Sequence, residues 1–200
     1  AGDFSWSDTY PLGFTPRLEG HGTDFSSVFG IRGKSIAGII LNYDFSASYG
    51  TNYLHYYLRN SLNSSWGPYS PHNFEVGDLQ QKETNWNADF VYPMGQLNIA
   101  FGAEWREEKY IMYEGQKESW MAGPWAKVHI LSYDSLGTGT MVNYGYAAPE
   151  LTVSGMPGTS PNEAGEFSRQ NIAFYTDIEY NIKDLLVQIA TRFEDFSDFG

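Results

Sequence analysis

Six charged residues are spaced as if for chemistry: Glu104, Arg106, Asp177, Glu179, Arg192 and Glu194. Two carboxylates flanking a cleft could serve as the acid and nucleophile of a glycosidase. Here, however, the charges fall two apart within strand-like runs, Glu104 with Arg106, Asp177 with Glu179 and Arg192 with Glu194. A period of two places both members of a pair on one face of a strand. Three runs built this way describe a charged wall better than a single catalytic pair. Other reactive types are no more promising. The absence of cysteine removes disulfides, thiolate metal sites and cysteine nucleophiles. His21, His55, His72 and His129 lie in no metal-ligand spacing. Glu114, Glu118 and Asp134 have no calcium-ligand spacing. The stretch GTGTMV lacks the third glycine and the strand-to-helix context of a nucleotide loop, and Gly-x-Ser-x-Gly does not occur. The sequence is therefore read as that of a non-enzyme, with no catalytic residue, cofactor or metal.

The better candidates for binding are aromatic. Trp66, Tyr69, Trp120, Trp125 and Tyr133 fall in connections rich in Gly, Pro, Ser and Asn. Exposed there, their rings could stack on a sugar, a siderophore ring or another flat ligand. The competing use of each ring is packing within its own loop.

The elements that position these residues are strands. Ile172, Phe174, Thr176, Ile178 and Tyr180 alternate with Asn171, Tyr175, Asp177 and Glu179; then Leu185, Val187, Ile189, Thr191 and Phe193 alternate with Gln188, Arg192 and Glu194. This predicts an antiparallel hairpin over 168–197, turning at 181–184, with Ile172, Phe174, Ile178, Val187 and Ile189 on one face. Four earlier runs alternate in the same way: Phe25, Phe29 and Ile31; Tyr43, Phe45, Ala47 and Tyr49; Trp86, Ala88, Phe90 and Tyr92; and Leu97, Ile99, Phe101, Ala103 and Trp105. About six strands are expected in an antiparallel up-and-down meander, an all-β fold.

The joining segments GKSIAG, PMGQ and NIKD are short and fall at one end of such a meander. Those near 61–73 and 115–167 are long and fall at the other. The last, roughly 50 residues, far exceeds an ordinary connection and is expected to be the least regular, ligand-facing part of the chain.

Composition bounds the classes. A hydrophobic fraction of 42% and an aromatic fraction of 17%, against only 18% charged, suit strands more than surface helices and exclude a disordered chain. A net charge of -12 with 12 basic residues argues against a nucleic-acid partner. A mean hydropathy of -0.41 and the lack of a long apolar run exclude a membrane helix. Alternating strands average out to modest hydropathy, so a membrane barrel stays open. A soluble or surface β-sandwich, used as a carbohydrate-binding module, alternates too, with its apolar face inward. Aromatic placement favours the barrel: Tyr43, Tyr49, Trp86, Tyr92, Trp105, Tyr180 and Phe193 lie near the ends of the apolar stripes, where interfacial girdles sit. The run Trp86 to Tyr92 is shorter than the ~9 to 11 residues of a spanning strand, so it must extend to Thr84 or beyond.

Several stretches resemble the barrel of TonB-dependent outer-membrane receptors. SRQNIAFYTDIEYNIKDLLVQIATRFEDFSDFG is similar to a hairpin of that family, with Phe193 and Phe196 where tyrosines are usual. LNIAFGAEWREEKY resembles its strand ending in Gly-x-Glu-x-Arg-x-Glu. YPLGFTPRL, LNYDFSASYGTNYLHYYLRNSLNSSWG and SPNEAGEFSR look like its loops and an earlier hairpin, so the resemblance covers most of residues 10 to 200. It implies part of a large transmembrane β-barrel of roughly 22 strands with long extracellular loops, in the outer membrane of a Gram-negative bacterium. It also implies that Glu104, Arg106, Asp177, Glu179, Arg192 and Glu194 face a wet lumen against a polar plug. The implied function is capture and import of a scarce nutrient such as a siderophore, cobalamin or oligosaccharide. The implied partners are outer-membrane lipid, a plug domain, the remaining barrel strands and an inner-membrane energising complex reached through an N-terminal motif. Neither plug nor motif is recognisable in these 200 residues, which are expected to be an internal or processed piece forming an open sheet with unpaired edges. A passive porin is the further alternative.

Overall fold

A computed structural model describes residues 9–36, 38–124, 126, 131–133, 141–143 and 152–199, with backbone alone at 36, 131–133 and 141–143. In chain order the elements are β1 (Arg17–Ile36), β2 (Ile39–Arg59), a 3-10 helix (Ser64–Tyr69), β3 (Asn73–Met94), β4 (Leu97–Met112), α1 (Lys117–Trp120), β5 (Leu131–Tyr133), β6 (Met141–Asn143), β7 (Gly165–Ile182) and β8 (Leu185–Phe196). Six strands form one antiparallel sheet in the order β1-β2-β3-β4-β7-β8, and β5 pairs with β6 in a second, small one. The large sheet is a meander that does not close into a barrel; β1 and β8 are its edges. The fold is all-β, as the alternation predicts.

The terminal hairpin forms with the expected faces, but Asn181 and Ile182 of the expected 181–184 turn are paired within the ladder. Phe174 lies opposite Phe193, Ile178 opposite Ile189 and Tyr180 opposite Val187, and residues directly opposite share a face. The turn is Lys183 and Asp184, between the Ile182–Leu185 pair, and Lys183 takes a positive φ of 53°. At the β3–β4 turn Gly95 supplies the positive φ, 65°, at no steric cost.

Strand lengths differ from the sequence reading. β3 extends beyond Thr84 to begin at Asn73, the expected end of the 61–73 connection, and Gly33 to Ile36 of GKSIAG belong to β1, with β2 starting at Ile39. The run Gln80, Gln81, Lys82 and Glu83 has no apolar alternation of its own. A strand's backbone is satisfied by its neighbour, however, so pairing continues wherever that neighbour continues. Of the expected 115–167 connection, Gly165 to Phe167 already belong to β7; its other described residues hold the four-residue α1, the β5–β6 pair, turns and bends.

The chain divides into two compact units. The first comprises Ala1–Gly22, Leu54–Leu79 and Met112–Gly165, and it contains an ordinary hydrophobic core. Leu58, Phe74, Val76 and Val153 are buried, with Tyr56 and Met156 packed against them, and Leu62 is buried as well. The long connections are thus organised around apolar side chains of their own.

The second unit comprises Thr23–Tyr53, Gln80–Ile111 and Glu166–Gly200, and it is patterned the other way. Phe174 is 56% exposed, Ile189 66% and Phe193 65%, whereas Ala173 of the opposite register is fully buried and Asn171 nearly so. Phe25, Phe29, Ile31, Trp86 and Phe101 are exposed too. Soluble domains leave only small contiguous apolar patches uncovered; this unit displays its apolar register across the sheet.

Candidate functional site

On the polar register of the second unit, Arg192 of β8 gathers two of the charged residues picked out by spacing. Its Nη2 lies 3.3 Å from Glu104 Oε2 and its Nε 2.5 Å from Glu194 Oε1. To reach β4, the guanidinium passes over the Tyr175 ring, 5.8 Å from its centroid. Tyr175 in turn lies on Gly102, where any Cβ would overlap its hydroxyl. That glycine, in the register of Asn98 and Glu104, leaves room for a β7 aromatic across β4.

Asp177 and Glu179 are held by amides. Asp177 Oδ2 accepts from Gln188 Nε2 at 2.5 Å, and Glu179 Oε2 accepts from Asn98 Nδ2 at 3.3 Å. Arg106 forms no ion pair among the described residues, and its Nε is buried without a hydrogen bond. Amides thus hold both carboxylates: Gln188 faces Glu179 in the register but bonds its diagonal neighbour Asp177. Further along the same sheet, Arg169 Nε pairs with Glu108, and Gln170 Nε2 donates to Glu107 Oε1 at 3.2 Å. Half-exposed pairs of this kind contribute about 0–1 kcal/mol each, so the wall is a way to hydrate charge and fix register more than a source of stability.

In the first unit the loop aromatics separate into two kinds. Trp66 is half-buried and its indole N–H donates to the Met121 carbonyl at 2.9 Å; Trp120 is half-buried and donates to Gly115 O at 3.1 Å. Both indole donors are spent inside the loops. Tyr69, by contrast, is 76% exposed. Trp125 lies outside the described residues, and of Tyr133 only the backbone is described. Replacing Trp66 by Phe should therefore cost about 0.5–1.5 kcal/mol for the lost internal hydrogen bond. Tyr69→Ala should change stability by less than about 0.5 kcal/mol. Thermal unfolding of both variants checks the contrast; equal losses would contradict it.

Sequence reasoning missed the residue that ties the loops together. Asn63 is fully buried. Its side-chain oxygen accepts from the Ser65 N–H at 3.1 Å and the Ser65 hydroxyl at 2.6 Å, capping the 3-10 helix. Its amide donates to Glu118 O at 2.8 Å and Met121 O at 3.3 Å, so it joins the β2–β3 connection to α1. Ser119 does the reciprocal job, its carbonyl accepting from Val153 N at 3.1 Å and Gly158 N at 3.2 Å. The string NSSWGPYSP marks a turn through its Asn and Ser, but nothing in it names a partner dozens of residues away. Nearby, the Ser160 N–H and hydroxyl donate to Glu163 Oε2 at 3.0 and 2.9 Å. These donors hold the Glu163 carboxyl below its ordinary 4.5, the backbone bond contributing most.

His55 Nδ1 sits 2.5 Å from Asp78 Oδ1 and edge-on to Tyr57, with ring centroids 4.2 Å apart. Tyr57 also receives His21 edge-on and the Arg59 guanidinium over its face. This cluster packs as a charged aromatic stack. Among the described residues no group of three His, Cys, Asp or Glu side chains is arranged to hold a metal. No helix among them is long and apolar enough to cross a membrane, which leaves strands unaddressed. No family model, no curated protein and no solved structure matches this chain.

Proposed function

We propose that this chain is part of the barrel wall of a TonB-dependent outer-membrane receptor, a non-enzyme that captures a scarce nutrient and imports it actively. The observation that carries the reading is the inverted second unit: large apolar side chains exposed on one register of the sheet, with charges and amides on the other. In water such a face has no use. In a bilayer it is the lipid-facing surface, and the opposite register lines a hydrated lumen. The sequence resemblance over residues 10 to 200 supplies the family, and with it the energising complex and the plug, which the rest of the receptor would contribute.

Within this reading the long connections are extracellular, and Tyr69, the most exposed of the described loop aromatics, is available to meet a sugar, siderophore or cobalamin. The edges β1 and β8 expose unpaired backbone groups that lipid cannot satisfy, so the neighbouring strands of the complete wall would pair with them. The experiment is detergent dependence. The chain, expressed as it stands, is expected to aggregate in buffer and to recover its β-sheet circular dichroism only in detergent micelles. A monomer stable in buffer alone and melting cooperatively would end the receptor reading in favour of a soluble β-module.

A further inference from the structure

We propose that the apolar face of β2, β3, β4 and β7 holds one phosphate-bearing lipid at a defined site, its acyl chains in a groove and its phosphate at Lys82. This rests on the membrane reading above and adds to it a specific ligand position.

The groove has a volume of about 680 Å³. Ala47, Ala88 and Ala103 make its floor, and Phe45, Trp86 and Trp105 rise from it. A second, smaller cavity of about 220 Å³ is lined by Tyr49, Lys82, Thr84, Glu107, Lys109 and Glu166. The meander places the second beyond one end of the first on the same face of the sheet. Going from groove to cavity, the chain advances from Ala47 to Tyr49 on β2, retreats from Trp86 to Thr84 on β3, advances from Trp105 to Glu107 on β4 and retreats from Ile172 to Glu166 on β7. Antiparallel neighbours reverse direction at each strand, so all four steps lead to the same end of the groove. On β2, β3 and β4 the step is two residues, which keeps the face and moves roughly 7 Å along the strand; on β7 it is six residues, which also keeps the face.

The polar cavity is therefore a headgroup position placed immediately beyond two tryptophans, the residues that favour the boundary between hydrocarbon and headgroups. Its charges leave a vacancy of one sign. Lys109 is taken up by Glu166 at 3.3 Å and Glu107 at 3.7 Å, whereas Lys82 has no ion pair among the described residues. One ammonium, with the Thr84 and Tyr49 hydroxyls beside it, is free to donate to a phosphate oxygen. An apolar ligand would fill the groove and ignore the lysine. An inorganic anion would use the lysine and ignore the groove. A phospholipid uses both.

The test uses the full chain in dodecyl maltoside micelles, titrated with phosphatidylglycerol carrying brominated acyl chains, or with a brominated maltoside that has no phosphate. Tryptophan quenching is read in the wild type and in Trp86→Phe, and the difference isolates Trp86. Quenching by the phospholipid is expected to saturate. Lys82→Gln should raise the half-saturating mole fraction about 5- to 10-fold, and Lys82→Arg should restore it, while the maltoside quenches wild type and variants alike. Equal half-saturation in wild type and Lys82→Gln would overturn the site and leave only bulk lipid contact. Failure of either brominated amphiphile to quench Trp86 would overturn both the site and the membrane reading beneath it.

Discussion

Replacing Phe74 by alanine should destabilise the first unit by about 3–5 kcal/mol, the range for a buried Phe truncated where the surroundings collapse only partly. Phe74 is 1% exposed and packs with Leu58, Val76 and Val153, side chains drawn from β2, β3 and the last long connection. Losing its ring removes the group on which β2, β3 and the last long connection converge. Denaturant unfolding in detergent, followed by tryptophan emission in a form that retains Trp66 and Trp120, measures the loss; both indoles report on this unit because their N–H groups bond its carbonyls. A cost under about 1 kcal/mol would mean that the loops are not organised by this core.

The second large effect separates two adjacent residues of β8. Ile189→Arg should cost about 2–4 kcal/mol, the range for a cation near the middle of a barrel's lipid face. Gln188→Arg should be nearly neutral. Gln188 already donates to Asp177 at 2.5 Å, and a guanidinium can make the same bond with added charge complementarity. In an aqueous sheet the ranking would vanish, because Ile189 is 66% exposed and exposed substitutions stay within about 0.5 kcal/mol. Reversible unfolding of both variants in lipid or detergent decides between them.

What was legible in the sequence follows from which features are local. The period of two across 168–197 fixes faces, turn and register together, because slipping one residue would exchange Phe174 with Tyr175 and Ile178 with Asp177 on the apolar side. The six-strand order of the meander followed from short links alternating with long ones. The reach of β3 back to Asn73 was not legible, since a polar run such as Gln80 to Glu83 is held in a strand by its neighbours and not by its own pattern. The loop core was invisible for a related reason. Leu58, Leu62, Phe74, Val76 and Val153 follow no common period, and Asn63 finds its acceptors at Glu118 and Met121 only once the chain has folded. Among the binding candidates, Trp66 and Trp120 share the composition of Tyr69's surroundings, and only the carbonyls they meet distinguish packing from display.

The central claim is that the apolar register of the sheet faces lipid, and a cysteine scan along β7 tests it most directly. The chain has no native cysteine, so each introduced thiol is unique. Single cysteines at 172, 174 and 178, and at 175, 177 and 179, would carry an environment-sensitive fluorophore in lipid nanodiscs containing nitroxide-labelled acyl chains. Strict alternation is expected: blue-shifted, nitroxide-quenched emission at 172, 174 and 178, and water-like emission, quenched by aqueous iodide, at 175, 177 and 179. Aqueous behaviour at all six positions, or lipid contact at 175, 177 and 179, would contradict it.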